Sequence, residues 1–71
     1  MERDFEKKCQ SLINKEDWSS LYDLSFEYLD ASSGKSFKGF FYQGISLYKQ
    51  CEFDGAIRAF SKAEQINNND A

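Results

Sequence analysis

Length, composition and charge narrow the class of protein before any motif is considered. The 71 residues suffice for one small domain, and such a chain buries only about 60% of the surface that its unfolded form exposes. Nine basic and twelve acidic residues give a net charge of −3, and the scattered basic residues argue against a nucleic-acid partner. No apolar run approaches the roughly 18 residues of a membrane span, and the charged N-terminus lacks the apolar stretch of a signal peptide. We therefore expect a cytoplasmic protein with no membrane partner.

Composition and periodicity both favour α-helix. The chain contains no Pro, Val or Thr, so residues that break helices or prefer strands are scarce. In the first segment, apolar residues recur at i, i+4, i+7 and i+8, the stripe of an amphipathic helix: Phe5, Cys9, Leu12 and Ile13. We expect Asn14 to end this helix in the left-handed conformation and Asp17 to cap the next one.

Three further helices follow in chain order. The second carries an apolar face of Trp18, Leu21, Ser25 and Tyr28 and ends at a loop over 31–35, where Gly34 is the stop signal. Ser36 is the expected N-cap of the third helix and Asp54 that of the fourth. The polar run at 67–70, three Asn and one Asp, is expected to stop the fourth helix. Short loops predict that neighbouring helices are antiparallel.

The third predicted helix is apolar over an unusually wide arc. It has two neighbouring stripes, one of Phe40, Gly44, Leu47 and Cys51 and the other of Phe37, Phe41, Ile45 and Tyr48. A helix of this kind must be covered on more than one side. The fourth helix, in contrast, has a narrow stripe of small and aromatic residues: Ala56, Phe60 and Ala63.

Together the last two helices resemble a tetratricopeptide repeat. The order and spacing of five residues are similar to the signature of that family, in which small residues let two helices approach closely: Gly44, Leu47, Ala56, Phe60 and Ala63. Phe53 stands at the turn where the family has Tyr, and Asn68 stands where it usually has Pro. The resemblance covers about 37–69 and implies that Gly44 faces Ala56 across the helix pair.

The first half of the chain resembles a degenerate copy of the same repeat. A shift of 35 residues pairs Leu12 with Leu47, Cys9 with Gly44 and Trp18 with Phe53, and Leu21 and Tyr28 pair with the alanines of the later copy. The shift is one residue more than the family period of about 34. The resemblance implies a single domain over 1–71, with repeats at about 3–35 and 37–69. Its expected fold is all-α, a right-handed superhelical stack of two antiparallel helix pairs.

The cysteines are predicted to be free. In the repeat arrangement Cys9 lies level with Gly44, and seven helical residues, or about 10 Å, separate that level from Cys51. A disulfide needs Cα atoms within about 7 Å. We expect both to be buried small hydrophobes, as free cysteines in intracellular proteins usually are.

The sequence favours a binding protein over an enzyme. It contains no His, which is the commonest general base and metal ligand. It also lacks a Gly-rich phosphate loop, a Cys pair at zinc spacing and a nucleophile elbow. We therefore predict no catalytic residue, no metal site and no cofactor in this segment.

The resemblance implies a function in protein–protein interaction. In the family, the first helices of successive repeats line a groove that accepts a peptide or a helix of a partner protein. One wall here would carry Arg3, Glu6, Gln10, Ile13 and Asn14, and the other Lys38, Phe41, Ile45, Tyr48 and Lys49. The alternative that Phe41, Ile45 and Tyr48 pack against the first repeat stays open.

A second candidate surface is the open end of the second helix pair, at the fourth helix. Each repeat of an array covers the apolar face of its neighbour, and we expect Ile57, Phe60 and Ile66 to be incompletely covered here. Two further hypotheses follow. The chain is a self-associating scaffold, with a homodimer formed through the C-terminal helix, or it is the N-terminal segment of a longer array with other domains downstream.

Overall fold

The computed structural model describes residues 2–69, and within that part of the chain it consists of helices and turns with no strand. Its four helices are α1 (Glu2–Asn14), α2 (Trp18–Ala31), α3 (Phe37–Lys49) and α4 (Phe53–Asn69). This confirms the all-α prediction and the number of helices. The 35-residue shift relates both bounds of α1 to those of α3 (2 + 35 = 37; 14 + 35 = 49), and it relates the start of α2 to that of α4 (18 + 35 = 53).

The turn after α1 and the turn after α3 have the same backbone structure. Glu16 (φ 56°) and Cys51 (φ 66°) both adopt the left-handed conformation. The next amide in each case donates to a carbonyl five residues back, Asp17 to Leu12 at 2.9 Å and Glu52 to Leu47 at 2.8 Å. This is the Schellman ending of a helix. The prediction for Asn14 is wrong, because Asn14 is the last residue of α1 and Glu16 takes the left-handed position.

The loop between α2 and α3 ends its helix in a related way. Ser33 (φ 60°) and Gly34 (φ 71°) are both left-handed, and the Gly34 amide donates to Leu29 O at 2.7 Å. Gly34 is therefore a stop residue, as predicted, since a residue without Cβ adopts this conformation freely.

Side-chain caps agree with the sequence at two of three helix starts. The Asp17 carboxylate accepts from Ser20 N at 3.3 Å, and the Ser36 hydroxyl accepts from Gly39 N at 3.1 Å. The assignment of Asp54 as a cap is wrong. Asp54 already lies in the first turn of α4, which begins at Phe53, and Ala56 N donates to Glu52 O. Placed there, its charge still favours the helix N-terminus.

The end of α4 also differs from the expectation. The helix continues through Asn69, so the asparagine run does not stop it at its first residue. Asp70, the last member of the predicted stop, lies outside the described residues.

Consecutive helices are antiparallel, and α1 runs parallel to α3. Leu29 near the end of α2 meets Gly39 near the start of α3, and Phe60 of α4 meets Gly44 of α3. Between α1 and α3, Glu6 pairs with Lys38 and Gln10 with Tyr42. Both pairs advance by four residues in the same direction, as parallel helices require. Of the described helices, α3 is the one that contacts the other three.

The core lies between the first helix pair and α3. Four buried residues form its centre, and partly buried side chains from α1, α2 and α3 pack around them: Phe5, Cys9, Leu21 and Tyr42, surrounded by Leu12, Ile13, Trp18, Leu24, Tyr28 and Ile45. The Phe5 ring stacks on Tyr28 at 3.9 Å between centroids and meets the Tyr42 ring edge-on at 5.7 Å. Aromatic geometry of this kind fixes how α3 sits on α1 and α2.

Close approach between α3 and α4 depends on Gly44, and the Phe60 ring is nearest to it. A Cβ at Gly44 would lie 2.6 Å from Phe60 Cε1, and its three nearest atoms all belong to that ring. The Phe60 ring therefore fills the space in front of Gly44. Ala56, one turn before Phe60 on α4, is buried, as are Ala59 and Ala63.

Both cysteines are free, as predicted, but only one is buried. Cys9 is fully buried and Cys51 is exposed. Burial, with the nearby charge of Glu6 as a smaller cause, raises the pKa of the Cys9 thiol from 9.0 to about 12. The expectation that Cys51 is buried is wrong, because its left-handed turn places it outside the helix stripe.

Gly44→Ala should destabilise the protein by about 1–3 kcal/mol, because the new methyl group overlaps the Phe60 ring. Gly55→Ala is the matched control, since its Cβ would meet only the movable end of Leu47 at 3.2 Å. The helix propensity of Ala should make that change neutral or stabilising by up to about 1 kcal/mol. Urea unfolding followed by circular dichroism measures both. Equal effects of the two changes would contradict the close contact.

Thiol labelling should separate the two cysteines. At pH 8 an alkylating reagent should modify Cys51 rapidly and Cys9 only on unfolding, because the raised pKa keeps the buried Cys9 thiol protonated. Mass spectrometry of the labelled protein gives the rates, and comparable labelling of both thiols at pH 8 would refute this assignment.

The raised pKa of Cys9 also makes the folding stability depend on pH. This thiol contributes most to stability below pH 9, where it is protonated in both the folded and the unfolded state, and that contribution falls as the pH rises from 9 towards 12.

Candidate protein-binding surface

The residues predicted to form a groove between α1 and α3 fall into two groups. Those in the first group join the two helices. Lys38 Nζ lies 2.5 Å from Glu6 Oε1, and Gln10 Nε2 donates to the Tyr42 hydroxyl at 3.4 Å. The Glu6–Lys38 pair is about one-third exposed, where an ion pair contributes roughly 0–1 kcal/mol.

Apolar residues of the predicted groove are divided between the core and the surface. Ile13 and Ile45 pack against the core cluster, whereas Phe41 and Tyr48 are exposed. The alternative of packing against the first repeat therefore applies to Ile45 and not to the two aromatic residues. Lys49 Nζ lies 5.6 Å from the Trp18 ring centroid, a cation–π arrangement that ties the end of α3 to the start of α2. Arg3 and Asn14 are exposed on α1.

A continuous apolar surface lies instead along α3 and α4. Of the six exposed large apolar side chains among the described residues, one lies on α2 (Phe26) and five lie on these two helices: Phe37, Phe41, Tyr48, Phe53 and Ile57. We call these five residues the α3/α4 face. Tyr48, Phe53 and Ile57 are more than half exposed, at 55%, 52% and 62%. Contiguous exposed apolar surface is typical of an interaction site.

Ring contacts join four of the five residues in two pairs, and helical spacing places Ile57 between the pairs. The Phe37 and Phe41 rings are stacked at 6.0 Å, and Phe41 lies 6.1 Å from Phe60. At the other end, Tyr48 meets Phe53 edge-on at 5.6 Å. Ile57 lies one helical turn from Phe53 and one from Phe60, on the same side of α4. The partly buried Phe60 ring, seated on Gly44, is thus the floor of the surface.

The structure does not bring the predicted self-association residues together. Ile57 belongs to the α3/α4 face and Phe60 lies beneath it, but Ile66 is nine residues from Ile57, half a helical circumference away. Ile66 is partly buried and lies beside Phe40 and Gly34 on the opposite side of α4. There the Lys62 ammonium stands 5.6 Å from the Phe40 centroid.

Charges around the α3/α4 face are predominantly acidic. Asp54 follows Phe53, and Glu64 continues the stripe of α4 one turn beyond Phe60, both exposed. Glu52 precedes Phe53 but lies beside Ser19 and Tyr22 of α2. Nearby lysines are directed elsewhere: Lys38 to Glu6, Lys49 to Trp18 and Lys62 to Phe40. Arg58 is exposed and lies about 100° around α4 from Ile57, one turn after Asp54 and on the same side of the helix as that carboxylate.

Sequence reasoning did not include two members of the face. Phe53 was assigned to a turn because of the repeat signature, and Phe37 only to a general apolar stripe. The signal was present in the spacing, since 37, 41, 44 and 48 on α3 and 53, 57, 60 and 64 on α4 follow the same helical period. Gly39 is a further residue whose role was not predicted. A Cβ there would lie 2.7 Å from Leu29 Cδ2, so this glycine lets α3 approach α2.

Other kinds of site are not found among the described residues. They contain no group of three or more His, Cys, Asp or Glu side chains arranged to hold a metal ion. They also contain no helix long and apolar enough to cross a membrane.

No protein-family model, curated protein or solved structure matches the chain.

The α3/α4 face should not be required for folding. Ile57→Ser should change the free energy of unfolding by less than about 0.5 kcal/mol, because the side chain is 62% exposed. Leu21→Ala, which empties a fully buried position, should cost about 2–5 kcal/mol. Urea titration measures both. A loss above about 2 kcal/mol for Ile57→Ser would show that the residue is part of the core.

Proposed function

We propose that this chain is a protein–protein interaction module of the tetratricopeptide-repeat type that binds a helix or peptide of a partner protein. The repeated turn supports the repeat architecture, because two loops 35 residues apart share the same left-handed residue and the same five-residue hydrogen bond. With no comparison to supply a family, this internal repetition and the signature residues are what the assignment rests on.

The observation that carries the functional proposal is the α3/α4 face. Its members are mainly aromatic, and aromatic side chains dominate the energetics of protein interfaces. At about 200 Å² for each large side chain and about half exposed, five of them present roughly 500 Å² of apolar surface. A stable interface buries about 800 Å² on each partner, so this surface with its polar surroundings is of suitable size.

The predicted groove between α1 and α3 contributes less to this proposal. Its polar residues are engaged across the two helices and its isoleucines are packed in the core. Phe41 and Tyr48 are shared with the α3/α4 face, so a ligand that extends from that face along α3 would use both predicted sets of residues.

Peptide selection tests the proposal. A displayed library of helical peptides would be selected against the full chain, and the selected peptides measured against Phe53→Ser and Ile57→Ser variants. We expect a loss of about 2 kcal/mol or more with Phe53→Ser, because large aromatic residues carry much of the affinity of protein interfaces. Phe26→Ser, a change of an equally exposed residue on α2, is the control and should have no effect. Selected peptides that bind all three variants like the parent would contradict the proposal.

Self-association is a second candidate use of the same surface, favoured by Ile57, the most exposed residue of the α3/α4 face. A two-fold dimer would bury this residue against a second copy. Sedimentation equilibrium of the parent, Ile57→Lys and Ile66→Lys tests it. A dimer should become a monomer with Ile57→Lys and stay a dimer with Ile66→Lys, because Ile66 lies on the other side of α4. A parent chain that is monomeric at high micromolar concentration would rule out this candidate.

A further inference from the structure

The residues of the first helix pair that contact α3 correspond in the repeat to residues of the α3/α4 face. In that interface Lys38 contacts Glu6, Lys49 lies over Trp18, and Leu47 lies beside Tyr22. The 35-residue shift carries Glu6, Trp18 and Tyr22 to three members of the α3/α4 face: Phe41, Phe53 and Ile57. Ile13, packed in the core that Tyr42 completes, corresponds in the same way to Tyr48. The exposed face is therefore the repeat equivalent of a surface that already holds a helix.

A second copy stacked head to tail does not fit this face. The residues of α3 that turn towards the first pair are Gly39, Tyr42, Ser46 and Lys49, and the shift carries them back to Asp4, Lys7, Ser11 and Asn14 of α1. All four residues of α1 are exposed and polar. Burying them against an apolar surface would remove their hydration without supplying hydrogen-bond partners. The outer side of α1 is thus polar and does not match the apolar α3/α4 face.

Two-fold pairing of the face is disfavoured by its charges. An isologous interface places the same patch on both sides, so the acidic residues around the face would meet their own copies or lose their hydration. A basic partner, in contrast, would pair with Glu64 at one end of the face and with Asp54 at the other. Complementary charge of this kind contributes to specificity and to the rate of association.

We propose that the α3/α4 face binds a basic amphipathic helix of a partner protein, oriented parallel to α3 and antiparallel to α4. This inference rests on the proposed function and specifies the chemistry and direction of the ligand. The partner helix repeats the position of α3 on the first pair. Its apolar stripe covers Phe41, Tyr48 and Ile57. A cation near the N-terminus of the partner helix pairs with Glu64, which corresponds to Leu29 under the 35-residue shift. A cation near its C-terminus lies over the Phe53 ring, as Lys49 lies over the Trp18 ring.

The charge requirement is tested with two synthetic helical peptides that share one apolar stripe and differ in their flanks, Lys in one and Glu in the other. The Lys peptide should bind about tenfold more tightly or better at low salt. That preference should fall below about threefold when Glu64→Gln and Asp54→Asn are combined, and it should persist with Phe26→Ser. Equal affinity of the two peptides for the unmodified chain would overturn the inference.

The direction is tested with a nitroxide on either end of the Lys peptide and nuclear magnetic resonance of the ¹⁵N-labelled chain. A label on the peptide N-terminus should broaden the amides of Phe37 and Glu64, and a label on the C-terminus those of Tyr48 and Phe53. The reversed pattern would overturn the stated orientation while leaving the proposed function intact.

The oligomeric state of the free chain is a further test. A dimer that Ile57→Glu dissociates would assign the face to a second copy of this chain and would overturn the proposal of a partner helix. Failure of the proposed function is distinct, because then neither peptide nor any library-selected peptide would be sensitive to Phe53→Ser.

Discussion

The structure depends on the two opposite sides of α3. One side is inserted into the first helix pair, where Gly39 lies against Leu29 and Tyr42 completes the core around Phe5. The other side meets α4 through the contact of Gly44 with the Phe60 ring. Because one helix makes both contacts, its remaining aromatic residues cannot be buried by either neighbour. The apolar surface along α3 and α4 is the consequence of this division.

Internal repetition explains why this surface is apolar. The two helix pairs share three of their four helix bounds under the 35-residue shift and have the same turn, and the second pair covers the first. In the first copy the covered positions hold residues that contact α3, such as Trp18. In the second copy the equivalent positions hold Phe41, Phe53 and Ile57 and are exposed. An apolar residue at an exposed position adds little to folding stability, and the proposed binding function would account for its presence.

Local signals in the sequence predicted the helices well, since period and capping residues act over a few residues. They identified Asp17, Ser36 and Gly34 correctly and gave the four-helix organisation. They failed where the turn conformation is set by the whole loop, as at Glu16 and Cys51. They did not give the contact of Gly44 with the Phe60 ring, because that contact depends on the geometry with which α3 and α4 cross and not on the order of residues. The nine-residue spacing of Ile57 and Ile66 places them on opposite sides of α4, so the helical period alone separates these two residues.

The central claim is that the α3/α4 face is open to solvent while the neighbouring apolar side of α3 is closed. Methyl spectra of isoleucine-labelled protein with a soluble paramagnetic probe test it directly, since the four Ile residues sample the different surroundings. The Ile57 methyl signal should be attenuated most, whereas Ile13 and Ile45, packed against the core, should be protected. Attenuation of Ile45 equal to that of Ile57, or protection of Ile57 in a dilute monomer, would contradict the account.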